Sequence, residues 1–197
     1  EHSLRLTEPG SIPEIQVLGV RVHMVQLRDA LEAMERWIRR REQGRYVIVT
    51  GMHGVMESRR NPKFKGVLNR ADLFVPDGYS LVWIGRRRGF ALSERVCGTE
   101  LLRAFCQRAA RHGYRVFFYG DTENVLSKLR DRLRREYPQL QIAGCFSPPF
   151  RPLTEQEDHE VVRLINQARP DVVWVGLGLP KQERWIVAHR DRLQVPV

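Results

Sequence analysis

Short apolar runs alternate along the chain with stretches in which apolar residues return every three or four positions, a pattern that predicts strands followed by helices. Val17 to Val22 reads as an edge strand. In the first helix Leu27, Leu31, Met34, Trp37 and Ile38 face inward, leaving Arg28, Glu32, Glu35 and Arg39 outward. Tyr46 to Val49 then reads as a buried strand ending at Thr50-Gly51, and Leu73 to Val75 as another, stopped by Pro76. Short helices are expected around Val55–Arg59 and Lys63–Arg70, and a further one over Tyr79–Arg87. Thr99–His112 continues the pattern with Leu102, Phe105 and Ala109 on one face and Gly113 at the C-cap position. Val116 to Tyr119 is the next strand. Val125, Leu129 and Leu133 mark an amphipathic helix, and Leu140 to Ala143 a strand before the proline-rich loop 147–152. Thr154 and Glu157 have capping-box spacing ahead of a stripe of Val161, Leu164, Ile165 and Ala168. Asp171 to Val175 is the last clear strand, and a helix carrying Trp185 and Ile186 follows. The expected fold is therefore α/β and Rossmann-like, a mostly parallel sheet with helices on both faces.

Length bounds this picture, since 197 residues fit one domain with a sizeable core. A single catalytic domain over 1–197 is the expectation. An apolar segment begins at 194–197, so the domain reads as truncated. No run approaches a membrane span, and the N-terminus lacks the order of a signal peptide, which gives a cytoplasmic reading. Cys97, Cys106 and Cys145 are odd in number and widely spaced, so neither a disulfide framework nor a zinc site is signalled.

The net charge of +10 is carried by arginine, because only Lys63, Lys65, Lys128 and Lys181 are lysines among 33 basic residues. Such a surface favours polyanions: nucleic acid, an anionic membrane face or phosphorylated substrates. No nucleic-acid motif accompanies it. Arg130, Arg134 and Arg135 read as a solvated helix face, while Arg86-Arg87-Arg88 reads either so or as a binding patch.

In open α/β sheets ligands bind beyond the carboxyl ends of the strands. Thr50-Gly51, Asp77-Gly78, Gly120-Asp121-Thr122 and Gly176-Leu177-Gly178 all fall at such ends. Glycines there let a phosphate approach the main chain, and a following helix N-terminus offers N–H groups to it. Lys181 stands where a dinucleotide fingerprint wants Gly or Ala, and no P-loop occurs, so NAD enzymes and P-loop NTPases recede. No Asp-x-Asp pair is present to hold a metal-bound diphosphate. Leaving-group charge then falls to helix dipoles and cations.

Ordered blocks run through nearly the whole chain: Val17 to Val22, Thr50, Ala71 to Gly78, Glu94 to Leu101, Phe118 to Gly120, and Pro170 to Glu183. In these blocks the chain resembles the WecG/TagA/CpsF glycosyltransferases. The resemblance implies transfer of a sugar, N-acetylmannosamine or a relative, from a UDP-sugar to an undecaprenyl-diphosphate-linked acceptor at the inner membrane face. It implies inversion at the anomeric carbon, no metal and no cofactor beyond the UDP-sugar, frequent self-association, and a C-terminal membrane-binding appendage that adds arginines to the active site. Products of such enzymes are lipid-linked precursors of surface polysaccharides such as teichoic acid.

By position, Asp77 matches the proposed catalytic base, Thr50 and Arg95 match donor-side active-site residues, and Gln182 matches a glutamine of the nucleotide-sugar pocket. Gly120, Asp121, Thr122, Gly176, Gly178, Lys181 and Glu183 complete the expected nucleotide site. Local roles compete with several of these. Asp77 reads as a base or as a cap of the helix starting near Tyr79, and Thr50 as a substrate contact or a strand-end hydroxyl bound to a local amide. Arg95 reads as a diphosphate or sugar contact or as the partner of Glu94 or Glu100; Asp121 and Thr122 as nucleotide contacts or N-caps; Glu183 as a ligand or a helix-dipole charge. His53 reads as structural. Met52 stands where the family commonly has Asn, and Glu100 where it has Asp. A thioether cannot hydrogen-bond a sugar hydroxyl or acetamido group as an amide does, so a UDP-hexose or UDP-uronate donor is the alternative within enzymes. A basic nucleic-acid or membrane-binding module is the alternative outside them.

Overall fold

The computed structural model describes residues 12–197. Residues 1–11, on which the signal-peptide reading rests, lie outside the described residues. The described chain gathers into two compact units, one formed by residues up to Ala30 with Val47–Gly98, the other by Leu31–Tyr46 with Thr99–Val197. Strands and helices alternate throughout, and every strand pair but the first is parallel, which is the expected α/β, Rossmann-like class.

In the first unit, β1 (Glu14–Val17) and β2 (Val20–His23) pair antiparallel around Leu18-Gly19. The single edge strand expected over Val17–Val22 is thus a hairpin. Both turn residues have positive φ, 51° and 78°, as a primed two-residue turn requires. Leucine rarely takes that conformation, so the turn gives no sequence signal. Asn69 fixes it, accepting from the Arg21 N–H at 2.8 Å and donating to the Gly19 carbonyl at 3.0 Å.

Strands β3 (Val47–Thr50) and β4 (Leu73–Pro76) run parallel, with Thr50 opposite Pro76. All four residues of β4 are buried, which explains its unbroken apolar run. Between them, α2 (Met52–Arg60) and α3 (Pro62–Asn69) meet at Asn61, whose side chain accepts from the Phe64 N–H at 3.0 Å. Helix α4 (Tyr79–Arg87) follows β4 and buries Leu81, Val82 and Gly85.

β2 is tied to β4 through a side chain: the Phe74 N–H donates to His23 Nδ1 at 2.9 Å. That nitrogen must therefore be unprotonated. Burial, with Arg21 nearby and Asp72 opposing it, pulls the His23 imidazole down to about 4. Below its ordinary value near 6.5 the unfolded chain takes up a proton that the folded protein refuses. Stability therefore falls as pH drops from about 6.5 to about 4, by roughly 3 kcal/mol in all. Thermal unfolding followed across that window should show the loss, and His23→Asn, which keeps an acceptor without titrating, should flatten it. An unchanged slope in the variant would remove His23 as the cause.

The division between units falls within α1 (Leu27–Arg39) and at the start of α5 (Gly98–His112). In the second unit β5 (Arg115–Gly120) lies between β6 (Gln141–Phe146) and β7 (Val172–Gly176), parallel to both. Beside the parts of α1 and α5 that belong to it, this unit holds α6 (Glu123–Glu136), α7 (Glu155–Ala168) and α8 (Lys181–His189). Its core packs Phe117, Tyr119, Val161, Ile165 and Val195 together, with Trp185 stacked on Tyr119 at 4.2 Å between ring centres. Gly113 caps α5 with φ 75°, and Thr154 and Glu157 form the expected capping box.

Several helix phases differ from expectation. Glu35, expected outward, is 5% exposed, because Arg108 from α5 donates to its carboxylate at 2.7 Å. Leu101 is fully buried where Leu102 was expected, Leu126 is buried while Val125 is exposed, and Leu164 stands exposed beside buried Val161 and Ile165. A helix turns about 100° per residue, so a one-residue shift leaves the period intact and moves the edge of the stripe. The Val197 carbonyl accepts from the Val173 N–H of β7 at 2.9 Å, and its N–H donates to the carbonyl of Asp171, just before the strand, at 3.3 Å.

Candidate active site

The residues expected to carry chemistry fall into two groups, one in each unit. In the first, the ends of β3 and β4 are joined by main chain. The Asp77 N–H donates to the Thr50 carbonyl at 3.1 Å, and the Val96 N–H to the Pro76 carbonyl at 3.2 Å. Gly51 is obligatory here, since a Cβ on it would lie 2.1 Å from the Asp77 carbonyl oxygen. Thr50 is buried and its side chain rests on Gly54, where an added Cβ would meet Oγ1 at 2.6 Å. A glycine four residues after Thr50, in the first turn of α2, is the available sequence signal for that contact.

Asp77 does not cap the following helix. The cap position is Gly78, with φ 134° and no side-chain bond to the α4 amides. The Asp77 carboxylate instead faces Arg95, at 3.8 Å from Oδ1, and keeps about a third of its surface in solvent. Arg95 in turn lies over the Tyr79 ring at 5.4 Å. The result is an accessible carboxylate beside one guanidinium, placed by backbone rather than by burial. Tyr79, 70% exposed, is the participant that sequence reasoning took only for a helix start. Met52 opens α2 immediately after Gly51 and is half-buried; His53 beside it is exposed.

In the second unit Gly120 and Gly176 end β5 and β7 side by side. Gly120 has φ 124°, and a Cβ on it would lie 2.2 Å from the Gly176 carbonyl oxygen. That same oxygen accepts from the Asp121 N–H at 3.0 Å. Asp121, at φ 56°, turns its carboxylate onto the Thr122 N–H at 2.7 Å, and the Thr122 hydroxyl caps α6 by accepting from Val125. The local capping role of Thr122 is thus realised. Ser147, which sequence reasoning did not single out, donates its hydroxyl to the Asp121 carbonyl at 2.6 Å.

Gly178, at φ 76°, starts the loop into α8. The Gln182 side chain bridges that loop and its helix: Oε1 accepts from the Gly178 N–H at 3.2 Å while Nε2 donates to Glu183 at 3.0 Å. Glu183 is 1% exposed, and burial raises its carboxyl above the usual range. It therefore lies beneath the loop, holding Gln182, whereas Lys181 is exposed at the first position of α8. Gly176 and Gly178 are exposed and Lys181 stands exposed beside them, while the Gly178 N–H is held by the Gln182 side chain and the Gln182 N–H by the Gly178 carbonyl at 3.1 Å.

Comparison with known proteins gives the arrangement its context. The family model described as "Glycosyl transferase WecG/TagA/CpsF family" matches residues 15–197. An N-acetylglucosaminyldiphosphoundecaprenol N-acetyl-beta-D-mannosaminyltransferase of Bacillus spizizenii is 31% identical over 147 residues, which cover 75% of this chain and 55% of the relative. A protein of the same name from Staphylococcus aureus is 25% identical over 195 residues, 98% of this chain and 75% of the relative. The chain spans about half the length of the first of these. With all its motif blocks inside the matched region, the chain belongs to the WecG/TagA/CpsF family of glycosyl transferases.

Proposed function

We propose that this chain is the catalytic part of an inverting glycosyltransferase that moves N-acetylmannosamine or a related sugar from a UDP-sugar to an undecaprenyl-diphosphate-linked acceptor. The observation that carries the reading is the Asp77 carboxylate, open to solvent, free of any capping role and 3.8 Å from Arg95. Relatives named for transfer to a lipid-diphosphate-linked acceptor support the same class of reaction.

In the proposed step Asp77 takes the proton of the acceptor hydroxyl as its oxygen bonds to the anomeric carbon. The bond from that carbon to the UDP oxygen breaks on the opposite face, which inverts the centre. Charge developing on the diphosphate is met by the Arg95 guanidinium beside Asp77. The reading calls for no cofactor or metal beyond the donor itself. Residence at the inner membrane face and self-association belong to the same proposal. Among the described residues no helix is long and apolar enough to cross a membrane.

Met52 favours a second donor reading, because the position beside Thr50 offers a thioether where an amide would grip an acetamido group. UDP release measured with UDP-N-acetylmannosamine, UDP-glucose and UDP-glucuronate against a lipid-diphosphate acceptor decides between them. Turnover with the first supports the primary reading, and turnover with either of the others the second. No release from any donor would reject both.

A further inference from the structure

Helix α4 carries an outward row that the proposed chemistry does not use. Tyr79 and Trp83 are 70% and 57% exposed, while Leu81 and Val82 behind them are buried. Spacing by four places Tyr79, Trp83 and Arg87 along one face of the helix. The Arg87 guanidinium lies over the Trp83 ring at 4.7 Å, as Arg95 lies over Tyr79.

The three consecutive arginines separate by role. Arg86 donates to the carbonyls of Leu92 and Ser93, and Arg88 to the carbonyl of Gln16, so both brace the unit's own loops. Arg87 instead lies along the aromatic row. Exposed amphipathic rings bearing guanidinium groups match the headgroup layer of a bilayer, where aromatic rings settle at the boundary and cations meet lipid phosphates. Stacked bases fit the row less well, because a guanidinium already lies over one face of each ring. The +10 charge of the chain complements an anionic surface.

We infer that the Tyr79–Trp83–Arg87 row is a docking surface for an anionic phospholipid bilayer. Its Tyr79 end adjoins Arg95, which also pairs with Asp77. Docking along the row therefore brings the Asp77 turn to the membrane plane, where a lipid-linked acceptor presents its hydroxyl. This orientation rests on the acceptor class proposed above; the surface itself does not.

The test uses Trp83→Ser combined with Arg87→Ser, both outside the reacting groups, and vesicles of phosphatidylcholine containing roughly one third phosphatidylglycerol. In co-sedimentation the variant should bind at least about tenfold more weakly than the unmodified protein, at unchanged circular dichroism and UDP affinity. Transfer to a vesicle-embedded acceptor should fall, whereas transfer to a short-chain, water-soluble lipid diphosphate should persist. Equal vesicle binding by both proteins overturns the inference. So does a change in oligomeric state by sedimentation velocity with vesicle binding intact, which assigns the row to a second copy of the chain. If the unmodified protein binds vesicles through the row yet transfers to neither acceptor, the proposed function fails and the surface stands.

Discussion

Asp77→Asn is expected to lower turnover by about 10²–10⁴-fold while leaving UDP affinity within roughly twofold. The two side chains have nearly the same shape, and the contacts that place residue 77 are made by main chain: its N–H to Thr50 and its carbonyl against Gly51. No helix cap is lost, because Gly78 occupies that position. The ion pair given up with Arg95 is partly exposed and 3.8 Å long, so its removal costs at most about 1 kcal/mol. A large kinetic loss with little change in stability isolates the proton-accepting role. Single-turnover kinetics and urea unfolding on the same preparation give both numbers, and near-normal turnover in the variant would remove Asp77 as the base.

Gly120→Ala should be the most damaging small substitution in the second unit. The added methyl would lie 2.2 Å from the Gly176 carbonyl oxygen and 2.6 Å from its carbon, at a backbone φ of 124° that an alanine resists. Both objects in the way are main chain, so relief requires parting β5 from β7 at the point where Asp121 is hydrogen-bonded. Overpacking and backbone strain together predict a loss of about 3 kcal/mol or more, with nucleotide binding lost alongside. Gly176→Ala supplies the comparison, since a Cβ there meets no atom within 4 Å. Its unfolding free energy should stay within about 1 kcal/mol of the unmodified protein. Equal stability of the two variants would show that the close approach at Gly120 is not what limits this site.

Much of this architecture was readable beforehand because it rests on local physics. Helical periodicity located α1, α4 and α5 to within a residue, and the capping spacing of Thr154 and Glu157 marked the start of α7. The Asp77 turn was visible as a carboxylate between a strand-stopping proline and a glycine. What escaped depends on partners distant in sequence. Glu35 reads as solvent-facing because nothing near it announces Arg108, and Leu18 as a strand residue because leucine is rare at positive φ. Gln182 shows the same limit at the site: its position suggested a ligand, but only the fold reveals that Gly178 and Glu183 engage both ends of its carboxamide.

The contact between Gly51 and Asp77 has a consequence for how the protein could be retuned. Under the proposed chemistry the proton acceptor is located by peptide groups, while Met52, the first residue of α2, offers a half-buried side chain two positions beyond Thr50. Reactivity and choice of sugar are then mounted on separate parts, one fixed in the chain's backbone and the other interchangeable. On that reading, exchanging Met52 for an amide or a smaller group is expected to change donor preference without shifting the carboxylate, leaving the chemistry a constant around which substrate choice can be rewritten.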